Sequence, residues 1–349
     1  PRHLRQRKLL LPPFHGEAID HYQRMIAEAA EREIARWPVG RPLALAPRMQ
    51  AITLDVIMAG IFGIEGRPRL GTVEHALRAS IRNLLYSSTA PGAKLAAFMQ
   101  IGHDEPFGLT WLALLVPDRI LYTLIAKRRR AGDLDRRADI MSLIMRAQTE
   151  DGELLSDGEL RDELMTLVLA GHETTANQLA WAWERLVRNP EAHERLRDTV
   201  RADAPDADEV VEATITEAMR VRPVIPMTGR RVKLPWRLGE YGIPADTAVG
   251  ISMLLLHHRE DLYPQPFAFR PERWLTGKKP GTYEWIPFGG GTRRCLGAAL
   301  AMAEQRVVLR TMAERLDLDA VDPRPERPRH RNVTMIPGRG GRVVVRSRR

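Results

Sequence analysis

Three groups of residues in this 349-residue chain combine side-chain type and spacing in ways that chemistry can use. The first is Phe288-Gly-Gly-Gly-Thr-Arg-Arg-Cys295-Leu-Gly297, which sets the chain's single cysteine in a glycine-rich turn just before a helical pattern, Ala298 to Arg310. Main-chain N–H groups and a helix start stabilise a thiolate there. The second is Ala170-Gly-His-Glu-Thr-Thr175, an acid and a hydroxyl beside two small residues within a long apolar helical pattern. The third is Glu217-Ala-Met-Arg220, whose three-residue spacing puts an acid and a base on one helical face.

Each group has a plainer reading. A lone cysteine is most often an inert buried thiol, and a glycine-rich turn serves structure or phosphate binding. A phosphate loop wants Gly-x-x-x-x-Gly-Lys-Ser/Thr, and a dinucleotide site wants Gly-x-Gly-x-x-Gly; neither order is present. No Cys-x-x-Cys-His is present to attach a haem covalently. A haem iron ligated by thiolate does need such a turn, because the loop must approach a flat macrocycle and N–H donors near sulfur tune its electron donation. Thr174 by itself is a residue that bonds a carbonyl one turn back, and Glu173 a member of an ion pair. His172-Glu173 has the start of a zinc-protease helix, but Ala176 stands where the second histidine belongs.

Phe288, Gly291, Arg293, Cys295 and Gly297 match the pattern Phe-x-x-Gly-x-Arg-x-Cys-x-Gly, and on them the chain resembles the bacterial soluble cytochromes P-450. The resemblance implies Cys295 as proximal iron ligand of haem b and Arg293 as a contact of a haem propionate. Phe288, Gly289 and Gly297 then belong to the same cofactor loop. Ala170 and Gly171 are similar to the small residues that leave room above the iron, and Glu173-Thr174 to the pair that conducts protons. Glu217, Arg220 and Arg273 of Phe269-Arg-Pro-Glu-Arg-Trp274 resemble the family's structural triad. His3, Arg7 and Arg230 fit its remaining propionate contacts.

To hold these groups the chain must supply helices first and short strands later. Helical patterning dominates the first two thirds, as in Ile19 to Arg36 and Ile140 to Gln148, with breaks such as Pro38-Val-Gly40. The strongest helix is expected from Asp157 to Arg188, with Ser156 and Glu159 as a capping box and Asn189-Pro190 as its stop. That is about 45 Å at 1.5 Å per residue. Leu164 to Trp183 is mostly apolar all round, which predicts burial. After Glu217, strands are expected at Arg231 to Leu234, Thr247 to Leu255 and Gly341 to Arg346, around an irregular stretch from Tyr263 to Trp274.

The patterning therefore predicts a mainly α architecture with a smaller β region, and the resemblance implies the cytochrome P-450 fold as one haem-binding domain over residues 1–349. By the resemblance, which runs from His3 through Pro12-Pro-Phe-His15-Gly16 to the last strands, its N-terminal part is missing. A single cysteine excludes an intramolecular disulfide framework and fits a reducing, cytoplasmic setting. The apolar stretch Leu109 to Ile125 is interrupted by Pro117-Asp-Arg119, short of a membrane span, and reads as an amphipathic helix. The excess of 53 Lys and Arg over 44 Asp and Glu suits an acidic partner, a membrane surface or nucleic acid without choosing among them.

The resemblance implies a monooxygenase that inserts one atom of dioxygen into an apolar small molecule of lipid, steroid, terpenoid or polyketide type. Its electrons come from a ferredoxin or flavodoxin-type donor with its reductase, and neither nucleic acid nor a transmembrane segment is expected. The alternatives are a haem-thiolate peroxygenase or isomerase that needs no electron donor, and a non-catalytic haem sensor.

Overall fold

The capping box written into Ser156 and Glu159 forms in the computed structural model of the chain. Ser156 N–H donates to Glu159 Oε2 at 3.1 Å and Glu159 N–H donates to Ser156 Oγ at 3.2 Å, so two donors at the helix start are satisfied reciprocally. The helix runs Asp157–Leu186. It ends two residues before the expected Arg188, because Asn189 and Pro190 already begin the next helix, Pro190–Arg201, with proline in its first turn.

The structure describes residues 2–14, 17–87, 99, 105–149, 152–276 and 280–349; His15 and Gly16 of the sequence pattern lie outside them. The chain divides into two compact units. Residues 1–36, 48–176 and 296–307 form the first, and residues 37–47, 177–295 and 308–349 the second.

The first unit is helical. Its elements are Arg2–Leu10, Glu17–Ile34, Leu45–Phe62, Val73–Ser87, Leu109–Arg130 and Ile140–Arg146, followed by the long helix through Ala176. Its core is aliphatic, with Ile26, Met49, Ile52, Met58, Ile125 and Ile144 at 0 % exposure. A buried ion pair ties two helices together, as Arg128 Nη1 donates to both oxygens of Asp139 at 2.7 Å and its Nη2 to the Phe62 carbonyl. Leu45–Phe62 and Leu109–Arg130 are long and apolar enough to cross a membrane by length and composition, the former mostly buried. The latter is longer than the interruption at Pro117 predicts, and Pro117 is buried within it.

The second unit carries the strands. β1 (Pro42–Ala44), β9 (Arg342–Arg348) and β6 (Leu316–Ala320) form an antiparallel sheet with β9 in the middle. β2 (Met227–Arg231) pairs with β5 (Ala248–Ser252), β3 (Trp236–Leu238) with β4 (Tyr241–Ile243), and β7 (Pro328–Arg331) with β8 (Thr334–Pro337). The strand expected at Arg231 to Leu234 is displaced. Its alternating pattern lies mostly between β2 and β3, where only the Val232 N–H and carbonyl still bond across, to Thr247 and Asp246 just before β5. The segment expected as Thr247 to Leu255 is strand only through Ser252, whose hydroxyl caps a short helix, Met253–His257, by accepting from Leu255 N–H.

The long helix also differs from expectation in its burial. From Ala176 to Trp183 every residue is buried, but Leu169 and Ala170 are exposed and Gly171 half so. Apolar composition all round predicts burial only where neighbours exist to cover each face, and here one face is open.

Candidate cofactor and proton-transfer site

The cysteine of the second unit sits at the end of a single 3-10 turn, Gly291–Arg293, and is solvent-exposed. Its own N–H donates to the Phe288 carbonyl at 2.9 Å, Gly289 N–H to Ile286 at 2.9 Å and Arg294 N–H to Gly291 at 3.1 Å, so the loop is folded back on itself. Gly289 and Gly291 have φ of 68° and 64°, the left-handed region where an L side chain is strained. Nothing lies within 4 Å of where their Cβ atoms would stand. The loop therefore presents bare backbone on that side, and a cavity of about 280 Å³ lies against it, lined by Tyr283, Trp285, Ile286, Phe288 and Arg294. Arg293, two residues before the cysteine, is exposed, and Arg230 in β2 is exposed with its Nη1 donating to Thr228 Oγ1 and the Gly229 carbonyl.

The segment leading into the loop is fastened to a buried ion cluster. Glu217 and Arg220 on the Ala207–Val221 helix are both 0 % exposed, and Arg220 Nε and Nη2 donate to the two Glu217 oxygens at 2.9 and 2.8 Å. Arg273 Nε reaches Glu217 Oε1 at 3.2 Å, so the three residues singled out by the resemblance meet. Two further donors complete the carboxylate's shell: Trp274 Nε1 at 2.9 Å and Arg270 N–H at 2.8 Å. Arg220 spends its other hydrogens on the carbonyls of His257, Pro266 and Ala268, and its guanidinium lies 5.1 Å from the Tyr263 ring centroid. From this node aromatic contacts pass from Trp274 to Trp285 to Phe288. Tyr263, its phenol pushed up to about 12 mainly by burial, donates to the Glu284 carbonyl.

In the first unit, the open face of the long helix carries Ala170 and Gly171. A Cβ on Gly171 would meet only the Ile57 side chain, at 3.5 Å. Thr174 Oγ1 donates to the Ala170 carbonyl at 2.8 Å, the back-bond its position allows. Glu173 is buried. The His172 carbonyl accepts from Thr53 Oγ1 at 3.1 Å, which pins the turn from outside the helix. His3 and Arg7 lie half-buried, four residues apart on the Arg2–Leu10 helix. Gly297 belongs to this unit, with the Phe14 ring 4.0 Å from its would-be Cβ.

Sequence reasoning missed His257, Trp285, Tyr263 and the part Trp274 plays. Trp274 carried a signal, since an indole is a donor without acceptor capacity next to a triad arginine. His257 gave none, being one polar residue in a short helix. Among the described residues, no cluster of three or more His, Cys, Asp or Glu is placed to hold a metal, and Cys295 is the chain's single thiol.

The family model of cytochrome P-450 matches residues 1–342. A Mycobacterium tuberculosis protein provisionally named cytochrome P-450 137 is 40% identical over 364 residues, spanning 100% of this chain and 72% of that one. The Mycobacterium bovis protein provisionally named cytochrome P-450 135B1 is 39% identical, spanning 99% and 73%. The solved haem domain of cytochrome P-450DA superposes with a TM-score of 0.81 over 98% of this chain and 77% of that one at 24% identity, which is a likeness of fold.

Proposed function

Because this chain belongs to the cytochrome P-450 family, we propose that it is a haem-thiolate monooxygenase with Cys295 as the axial ligand of haem b, working as one haem-binding domain over residues 1–349. The observation that carries the reading is the cysteine loop. Its thiol is exposed, its glycines turn bare backbone outward, and its N–H groups point inward to Phe288 and Ile286. A flat, largely apolar macrocycle fits such a surface, while its two carboxylates need cations. Arg293, Arg230, His3 and Arg7 would supply them.

When bound, the haem supplies the redox chemistry that splits dioxygen. The protein's residues supply ligation, room and protons. By the family resemblance, Phe288, Gly289 and Gly297 would let the macrocycle come close to the loop, and Ala170 and Gly171 would leave room for dioxygen. Thr174, while donating to the Ala170 carbonyl, keeps lone pairs that hold a water, and Glu173 next to it returns protons to that water from the buried side. The substrate class is an apolar lipid, steroid, terpenoid or polyketide-like molecule. A ferredoxin or flavodoxin-type donor with its reductase delivers the electrons, and the setting is cytoplasmic.

The test is the spectrum of the reduced protein with carbon monoxide. Thiolate ligation gives a strongly red-shifted Soret band, and Cys295→His abolishes it while haem is retained. A folded, haem-loaded parent without that band refutes the assignment of Cys295.

A further inference from the structure

Within the second unit, the irregular, turn-rich segment that enters the cysteine loop, residues 284–288, is held at three points. Tyr263 Oη donates to the Glu284 carbonyl at 2.9 Å and Trp285 Nε1 to the Thr216 carbonyl at 3.2 Å. The third contact runs the other way, with Ile286 N–H donating to His257 Nε2 at 3.0 Å. His257 is 0 % exposed, and its own carbonyl receives Arg220 Nη1 at 2.8 Å.

Ile286 is a sensitive place to hold. Its carbonyl accepts Gly289 N–H, the bond that closes the first turn of the loop, and Pro287 after it has no N–H to offer. Phe288, the next residue, accepts Cys295 N–H. Ile286 is thus held at its carbonyl by the loop and at its N–H by an imidazole, and the residue that bears the imidazole is tied at its own main-chain carbonyl through Arg220 to Glu217.

The contact also dictates the imidazole's protonation. A ring nitrogen that accepts an N–H must carry its lone pair, so the proton sits on Nδ1, which is buried with no partner among the described residues. Protonation of Nε2 would set donor against donor at 3.0 Å. The surroundings agree: burial first, then the Arg220 and His258 charges, push the ring down to about 3. The other titratable neighbour is Tyr263, edge-on with centroids 6.5 Å apart, its phenol engaged with Glu284.

We infer that His257 is a positioning residue for the thiolate: as a neutral acceptor for Ile286 N–H, it fixes the residue whose carbonyl closes the first turn of the Cys295 loop. This rests on Cys295 being the axial ligand. A hydrophobic residue at 257 would leave the part-buried Ile286 donor unpaired, and local opening of the segment would become easier. Glutamine can bring an oxygen near the Nε2 position, whereas asparagine is one methylene too short.

The experiment uses the full-length haem-loaded protein and three variants, His257→Leu, His257→Asn and His257→Gln, with two readouts. One is amide hydrogen exchange at residues 284–289, and the other is the share of the reduced carbon monoxide complex in the red-shifted, thiolate-ligated form. Leu and Asn should raise exchange at Ile286 and Gly289 at least about tenfold and convert a substantial share to the blue-shifted form, while Gln restores both toward the parent. If His257→Leu yields no folded protein, the Asn and Gln pair decides. Unchanged exchange in Asn, or altered exchange in all three with the thiolate band intact, overturns the positioning role. A parent that lacks the thiolate band while exchange still follows the acceptor at 257 would instead refute Cys295 as ligand.

Discussion

Glu217→Ala removes the one carboxylate on which five hydrogen bonds converge. What remains is costly. The Arg220 guanidinium, 0 % exposed, keeps its charge and its three carbonyl partners but loses its counter-ion, and the Trp274 indole and Arg270 N–H lose their acceptor. Stranding a buried charge costs roughly 3 to 5 kcal/mol. With an unfolding entropy of about 2.1 cal/mol/K per residue, a chain of 349 residues changes stability by about 0.7 kcal/mol per degree near its midpoint. The expected fall in Tm is thus about 4 to 7 °C for unfolding in one transition. Calorimetry at matched haem content measures it, and haem occupancy should fall alongside. A melt within about 2 °C of the parent would mean that the carboxylate is not carrying the charge of Arg220, and the account of the node as an anchor would fail.

Thr174→Ala should leave substrate and carbon monoxide binding nearly intact but divert reducing equivalents to hydrogen peroxide, read as product formed per donor oxidised; unchanged coupling would leave Thr174 with only its bond to Ala170. Acid should act through His257. Its folded value of about 3 lies below the ordinary 6.5, so stability is full above 6.5 and falls as pH drops toward 3, by roughly 2 to 3 kcal/mol at about pH 4.5. His257→Gln should flatten that slope in urea titrations. Glu304, with its carboxyl pushed up to about 8 by burial, has the opposite slope: stability is full below the ordinary 4.5 and lost as pH rises toward 8. Glu304→Gln should therefore raise the unfolding free energy measured in urea at about pH 7 by roughly 3 kcal/mol, and change little at about pH 4.5.

Much of this was legible in the sequence because the signals are local. A capping box is a three-residue pattern, and Ser156 and Glu159 satisfy it as written. The Glu217 and Arg220 pair needs only one helical turn. Arg273 lies 56 residues from Glu217, and only family resemblance links them. The residues missed share one property: His257 and Trp285 act on backbone atoms of remote segments, Ile286 N–H and the Thr216 carbonyl, and a peptide group leaves no mark in side-chain patterning. The strand expected at Arg231 to Leu234 failed for a related reason. Alternation fixes which residues share a face, but not where a strand stops: Val232 still bonds across to Thr247 and Asp246, and the chain bends away at 233–234.

The way Arg220 grips its surroundings has a consequence for how the protein can change over time. Three of its hydrogens go to main-chain oxygens, at His257, Pro266 and Ala268, and these groups are identical whatever residue bears them. The anchor therefore recognises the path of the chain and ignores its text. Phe267, between two of those carbonyls, is 77% exposed, so its side chain can be exchanged widely without disturbing the grip, as long as the path is kept. Proline fits that economy at Pro266, where a carbonyl is required and no Pro266 N–H is called upon. A stretch that looks irregular and freely variable is thereby kept to one course by a single side chain elsewhere in the sequence.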